Sequence, residues 1–433
     1  MRRLEVHRKA QATPLGILPW VIVILGAIFY CYEYFLRIAP SVMSHDVMKA
    51  YGLTAAGFGK LVAFYYFAYT PMQVVVGVLL DRYGARLLLA GAVLICAIGA
   101  FLFADSHSLM MAEAGRLFVG FGSAFAFVGA LKLTAIWLPP QFFASITGLI
   151  AGLGTVGAMV GDNVLGKLVQ LEGWRMTTFL SAAVGIALAV TLFLVVRDSA
   201  DPHPDVSVLP PLSFREVFRS LYHSLKRSQF WMNGIIGALM YLAMSAFAEL
   251  WGIPYMRQAH HLDASAAQLT VSFTFLGWTI GAPLMGVLSD RLKLRRPILM
   301  LGSLVAAGLI TTVLYVNGLS IWLVDLLLIL FGGFAAAQGV VFAVGREVAD
   351  KNIAGSAVAL TNMFVMLGGV IFQPFIGKLL DWRWTGHMAG SVRYYSAGDY
   401  RFALTALPIA LIVAFVISLF LKETHAHLSN KEG

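Results

Sequence analysis

Apolar runs recur along the whole chain, separated by short polar breaks that carry Pro, Gly or Asp. A helix crossing a bilayer needs about 20 mostly apolar residues, so each run is long enough to span one. The pattern predicts twelve such helices, at 17–43, 57–80, 87–104, 109–137, 143–166, 176–196, 230–255, 267–289, 298–316, 321–344, 356–377 and 401–421. One long polar stretch interrupts them. It contains Asp198, Asp201, Pro202, Pro204, Pro210 and Pro211, then a basic amphipathic piece from Phe214 to Arg227. The expected organisation is therefore an N-terminal six-helix bundle at 1–196, a linker at 197–229 and a C-terminal six-helix bundle at 230–433. The first run is too long for a signal-peptide core and no small-residue cleavage site follows it, so it is expected to remain as helix 1.

Composition supports a bilayer environment. Of 433 residues, 59% are hydrophobic and 12% charged, against about 25% charged in soluble domains. The net charge of +9 would suit a nucleic-acid partner if it were clustered on a soluble face. Instead Lys and Arg gather at the N-terminus, in the loops on its side of the membrane and in the linker, the bias that marks cytoplasmic segments. The expected location is the cell inner membrane, multi-pass, with both termini cytoplasmic and no nucleic acid bound. Arg2, Arg3, Arg8 and Lys9 then orient helix 1 against anionic lipid. Cys31 and Cys96 both fall inside apolar helices, which points to neither a disulfide framework nor a metal site.

The two halves match each other. Gly77-Val-Leu-Leu-Asp81-Arg82 recurs as Gly286-Val-Leu-Ser-Asp290-Arg291, and Leu165-Gly166-Lys167-Leu168 recurs as Ile376-Gly377-Lys378-Leu379. Gly122 and Gly129 fall on Gly332 and Gly339 at nearly the same offset. A constant offset across three helix pairs implies a duplicated six-helix unit, hence two pseudo-symmetric bundles facing each other across a central site.

The segment Gly77-Val-Leu-Leu-Asp81-Arg82-Tyr83-Gly84-Ala85-Arg86, between helices 2 and 3, resembles the G-x-L-a-D-R-x-G-x-R signature of the major facilitator superfamily. Its second copy ends Asp290-Arg291-Leu-Lys293-Leu-Arg295 between helices 8 and 9. Arg116 to Gly122 is similar to the R-x-x-x-G-x-G pattern of helix 4 in that family. Helix 5, with Gly148, Gly152, Gly154, Gly157 and Gly161, resembles the glycine pattern of proton-linked antiporters but lacks its Gly-Pro step. The resemblance implies an all-α membrane fold of twelve helices and secondary transport by alternating access. It also implies a gating role for Asp81, Arg82, Arg86, Asp290 and Arg291, with Asp81 accepting hydrogen bonds from Arg86 and from a helix N-terminus.

Charges inside the spans are expensive, about 3 kcal/mol each on insertion scales, so each is expected to face protein or water. In helix 1, Tyr30, Glu33, Tyr34 and Arg37 share one face, and Glu33 and Arg37 are one turn apart. Glu249 lies in helix 7, the repeat partner of helix 1. Arg116 and Glu113 in helix 4 are three apart and spaced to neutralise each other. Lys132, also in helix 4, aligns with Phe342 and marks an asymmetry between the halves. The expected substrate- or proton-binding set is Glu33, Arg37, Arg116, Lys132, Glu249, Tyr30 and Tyr34, lining a cavity between helices 1, 4, 7 and 10. Secondary candidates are Tyr66, Tyr69, Gln73, Gln338, Asn362 and Gln373.

No G-x-x-x-x-G-K-[ST] is present, so a gradient rather than ATP is the expected energy source, with no cofactor. The absence of G-x-S-x-G and H-E-x-x-H argues against an intramembrane hydrolase. The favoured expectation is a monomeric, proton-coupled carrier of a small polar solute, zwitterionic or anionic, such as an amino acid, peptide or carboxylate. The alternatives are a proton-driven exporter of drugs or a siderophore, and a non-transporting receptor.

Overall fold

The computed structural model describes residues 16–198, 222, 225–349 and 354–424. The basic N-terminal cluster and most of the amphipathic linker piece lie outside them. The crossing helices are α1 Ile17–Val42, α2 Ala55–Tyr83, α3 Ala85–Ala104 and α4 Leu109–Trp137, followed by one continuous stretch Pro140–Val195. Gly173 divides that stretch into α5 (140–172) and α6 (174–195) with φ 80°, a left-handed backbone that only glycine adopts without strain. The second half repeats the plan in α7 Ser228–Ala259, α8 Ala264–Leu292, α9 Arg296–Tyr315, α10 Ile321–Val348, α11 Ala354–Arg383 and α12 Ala397–Ser418. Twelve spans in two bundles of six are thus present among the described residues. Several helices overrun the apolar stretches that predict them. The α2 and α8 ends extend to Tyr83 and Leu292 because polar residues continue the helix once its backbone has left the apolar layer.

The duplication extends to local detail. The α2 N-terminus is capped by Thr54, whose side chain accepts from the Gly57 N–H, and the α8 N-terminus by Asp263, which accepts from Ala266. Both α4 and α10 break mid-span. The first breaks between Ser123 and Ala126, the second in a 3₁₀ turn at Ala336–Gly339. Small residues bring helices into backbone contact, as lipid-embedded bundles require. A side chain on Gly120 would overlap the Tyr65 carbonyl of α2, and one on Gly332 would overlap the Thr274 carbonyl of α8.

The side of the molecule where α6 ends and α7 begins is the linker side. The opposite side carries a small hairpin, β1 Met388–Ala389 and β2 Val392–Arg393, between α11 and α12. Hydrogen bonds cross between the bundles from the linker side of mid-span, where Gln73 and Asn362 meet, to the hairpin side. Gln73 and Asn362 meet at 2.8 Å, Thr155 and Thr279 at 2.5 Å, and Asn163 and Ser272 at 3.2 Å. Toward the linker side, a Cβ added at Gly77, Gly148 or Gly286 would meet nothing within 4 Å.

The hairpin side is closed by a polar latch. Asp381, on α11, accepts from the Ala56 N–H at 2.9 Å, and the Tyr395 hydroxyl accepts from the Ala55 N–H at 3.0 Å. Tyr395 donates to Asp381 at 2.5 Å and Arg393 pairs with it at 3.2 Å. A carboxylate of one bundle thus sits on the first turn of a 29-residue helix of the other, where its charge meets the helix dipole. Burial, reinforced by the Asp381 hydrogen bond, pushes the Tyr395 phenol above its usual range, so it stays a donor. Asp381→Asn is expected to weaken this closure by about 1 kcal/mol, roughly a fivefold shift toward opening. Spin-label distances between the hairpin-side ends of α2 and α11 measure it, and an unchanged distance distribution would show that the latch does not hold this side closed.

Candidate functional site

At the centre, α1 and α7 meet across the bundle interface. Pro40 lies inside α1 and has no N–H, which leaves the Leu36 carbonyl without its helical donor. Arg116 of α4 fills that gap. Its guanidinium donates to the Leu36 carbonyl at 2.9 Å and to that of Arg37 at 3.3 Å, with Cζ 5.3 Å from the Tyr65 ring centre. Arg116 therefore points into α1 rather than at Glu113, its expected partner. Glu113 pairs with Lys60 at 3.3 Å instead.

Arg37 is held from both bundles. Its Nε donates to Glu33 at 2.9 Å and to the Tyr65 hydroxyl at 3.1 Å, while Nη1 donates to Tyr241 of α7 at 3.1 Å and lies 3.8 Å from Glu249. Nη2 also contacts Glu33. Tyr65 donates in turn to Glu33, Tyr66 donates to Glu249, and Tyr241 donates to Glu249 at 3.3 Å. The rings of Tyr34 and Tyr69 flank the guanidinium, 4.4 and 5.1 Å from Cζ. Tyr30 stands beside them, edge-on to Tyr34 at 5.2 Å.

The sequence pattern puts Glu33, Arg37 and Glu249 on the wall of an open cavity. They are instead 0%, 3% and 1% exposed, so they face neither water nor lipid. Such a cluster is costly to bury, and only dense pairing makes it tolerable. One atom is left over: Glu33 Oε2 has no partner. The arrangement can bind an anion at Arg37 if a carboxylate yields its place, and can hold a proton on a carboxylate that loses its cation.

Lys132 takes a different place. It forms an ion pair with Asp81 at 2.5 Å, at a cleft of about 260 Å³ that Gly77, Leu80 and Phe143 also line. The structure therefore sets Lys132 with the loop signature rather than with Glu33. The expected Asp81–Arg86 bond is absent, because Arg86 is engaged elsewhere: its N–H donates to Asp198 and its Nε to the Phe193 carbonyl, each at 2.8 Å. Gly84, at φ 81°, admits Asp198, since a Cβ there would lie 2.6 Å from the carboxylate. In the second copy Asp290 does meet its own loop, pairing with Arg295 at 2.6 Å, and Arg295 also binds Glu347 at 2.8 Å. Glu423 accepts from the Arg295 and Arg296 N–H groups at 2.8 and 3.0 Å. Each half thus places a carboxylate from just beyond its sixth helix on the start of its third. Arg82 lies over the Tyr83 ring at 5.4 Å, and Arg291 is exposed.

Gln373 donates to the Ser245 carbonyl at 2.7 Å, and Gln338 is buried in the α10 break. Two participants, and one carboxylate outside the cluster, are not singled out by sequence. Tyr65 sits next to Tyr66 in α2, and Tyr241 stands two residues before a π-helical stretch, Ala243–Trp251, that carries Glu249. Asp162, a carboxylate within an apolar span, carries the same signal as Glu33 and is recoverable from it.

A sequence profile described as the Major Facilitator Superfamily matches residues 23–373. The chain belongs to the major facilitator superfamily. Relatives include a probable sulfoacetate transporter of Cupriavidus necator, 22% identical over 83% of this chain and 87% of that protein. A probable galactarate/D-glucarate transporter of Escherichia coli is 25% identical over 87% and 89%. A membrane sensor protein of Salmonella typhimurium is 25% identical over 83% and 85%. Among superfamily structures, a bacterial homologue of the human lysosomal transporter Spinster, inward-facing and unoccupied, superposes with a TM-score of 0.77 at 18% identity over 95% of this chain and 98% of that one. A point mutant of the nucleoside transporter NupG gives 0.74 at 15% identity over 93% and 99%. Superfamily membership makes the chain a multi-pass membrane protein of the small-solute transporter class, not an enzyme.

Proposed function

We propose that the protein carries a small organic anion, a carboxylate or sulfonate, across the inner membrane by alternating access with proton coupling. The observation that supports this most directly is Arg37, a cation at the bundle interface bound to Glu33 of its own helix and facing Glu249 of the other bundle. An incoming anion would replace one carboxylate at the guanidinium, and the displaced group, left buried, would take up a proton. Solute and proton then move together. The substrates named for the relatives, sulfoacetate and galactarate or D-glucarate, are anions of this kind and are in keeping with the reading.

The Asp381 latch on the hairpin side is in keeping with a carrier closed toward the outside, taking the linker and both termini as cytoplasmic. Asp81, Arg82, Arg86, Asp290 and Arg291 would then sit at the opening face, where their pairs change when the linker side closes. A single chain contains both bundles, which supports action as a monomer.

Two arms of one experiment separate the readings. Purified protein in proteoliposomes, preloaded with unlabelled solute, is tested for uptake of labelled glucarate, galacturonate, sulfoacetate, an amino acid and a cationic dye. Counterflow of an acid supports the proposal, and counterflow of the dye alone supports an exporter. Thermal stabilisation by an acid without counterflow supports a sensor, the reading favoured by the Salmonella typhimurium relative.

A further inference from the structure

Asp162 of α5 is fully buried and plays no part in the Arg37 cluster. Its Oδ1 lies 3.1 Å from the Ser41 hydroxyl of α1, and its Oδ2 has no partner at all. No Lys, Arg or His among the described residues forms an ion pair with it. The Ser41 hydroxyl has one proton, and its shorter contact, 2.8 Å, is to the Ile38 carbonyl one turn back. If that carbonyl takes the proton, an ionised Asp162 would have two oxygens and no donor. A protonated Asp162 resolves the count: it donates to Ser41 Oγ, which still donates to Ile38. A buried carboxyl is tolerated as the neutral acid, whereas an unpaired anion there is not.

The charged groups around it give the anion no support. On α1, Arg37 is one turn from Ser41 but is committed to Glu33, and the nearer titratable neighbours of α5, Tyr30, Cys31 and Tyr34, are neutral. From α7, Glu249 offers no cation, and the buried α4 cation Arg116 is spent on the Leu36 and Arg37 carbonyls. The α8 face offers neutral groups, Gln268, Ser272 and Thr279, and the α4 cation Lys132 is paired with Asp81.

Position gives this proton a conformational role. Asn163, the next residue, donates to Ser272 across the bundle interface, and Gly166, one turn on, lies against the Gln268 amide. The α5–α8 contact is therefore the lid beside Asp162. We propose that Asp162 is a second proton-binding site, occupied while the hairpin side is closed and released when α8 moves away from α5 and water enters. The release breaks the O–H bond of the carboxyl, and the proton passes to entering water. This inference rests on the alternating-access reading but on no particular solute.

Infrared difference spectra of the protein in lipid vesicles, with isotopically labelled aspartate, test the protonation directly. The wild type is expected to show a protonated-aspartate carbonyl band in neutral buffer that Asp162→Asn removes and Glu33→Gln retains. Spin labels on the outer ends of α5 and α8 test the coupling: in the wild type raising the pH should widen their separation, whereas Asp162→Asn, fixed in the neutral form, should stay closed. Absence of any protonated-aspartate band in the wild type overturns the proposal without reference to a folded variant. So does a pH-dependent opening that Asp162→Asn leaves intact. Neither measurement uses a solute, so a failed counterflow panel leaves the inference standing and the reverse also holds.

Discussion

Arg37→Ala is expected to abolish solute counterflow, with a loss of at least about a hundredfold, while the protein still inserts and folds. The guanidinium binds Glu33 and Tyr65 of one bundle and Tyr241 of the other, so its removal strips two buried carboxylates of their nearest cation. Breaking a buried ionic cluster in this way costs about 3–5 kcal/mol, which corresponds to more than two orders of magnitude in an equilibrium. A carboxylate will escape part of that cost by taking up a proton, so the variant should survive as a folded but empty-handed protein. Arg37→Lys should recover only a fraction of the activity. An ammonium on a flexible stem carries the charge but cannot present Nε to Glu33 and Nη1 to Tyr241 at once. Counterflow in proteoliposomes, beside circular dichroism for the fold, measures both variants. Wild-type counterflow in Arg37→Ala would take the anion site away from α1.

Glu33→Gln is the second large effect, and it separates coupling from binding. The amide keeps the size of the carboxyl and can still accept from Tyr65, but it does not titrate. Exchange of solute at equal pH should continue, whereas accumulation driven by a pH difference alone should disappear. The unpartnered Oε2 of Glu33 is the place where a proton would sit, since Oε1 is already engaged by Arg37 and Tyr65. If Glu33→Gln still accumulates solute against its gradient under a pH difference, the coupling moves to Glu249, whose oxygens meet Tyr66 and Tyr241.

Much of this arrangement is legible from the chain because the physics involved is one-dimensional. Twenty apolar residues in a row announce a span, and a repeated Gly-x-x-x-Asp-Arg at a constant offset announces a duplicated bundle. The i, i+4 relation of Glu33 to Arg37 is a property of one helix, and it survives folding intact. What spacing cannot supply is the choice among partners on different helices. Glu113 and Arg116 have the right separation for a pair, yet the Leu36 carbonyl freed by Pro40 draws Arg116 away. Asp81 is expected to meet Arg86, yet Asp198, beyond the sixth helix, holds the α3 start instead. Tyr241 and Glu249 are eight residues apart, and they meet across the start of the π-helical stretch of α7. Wide turns of this kind leave no periodic trace in sequence and recur at functional positions.

The pairing of Arg37 with carboxylates from both bundles has a kinetic consequence. A carrier whose anion-binding cation had no internal counter-ion would face a large desolvation penalty whenever it tried to close without cargo, and would be confined to swapping one solute for another. On the proposed anion reading, Glu33 and Glu249 would stand in for the missing anion, and the unloaded protein would pass through its occluded form and reset. Such a surrogate would favour net movement of solute over obligate exchange. It would also put a ceiling on affinity, because a solute binding at Arg37 would have to outcompete a carboxylate that is already in place.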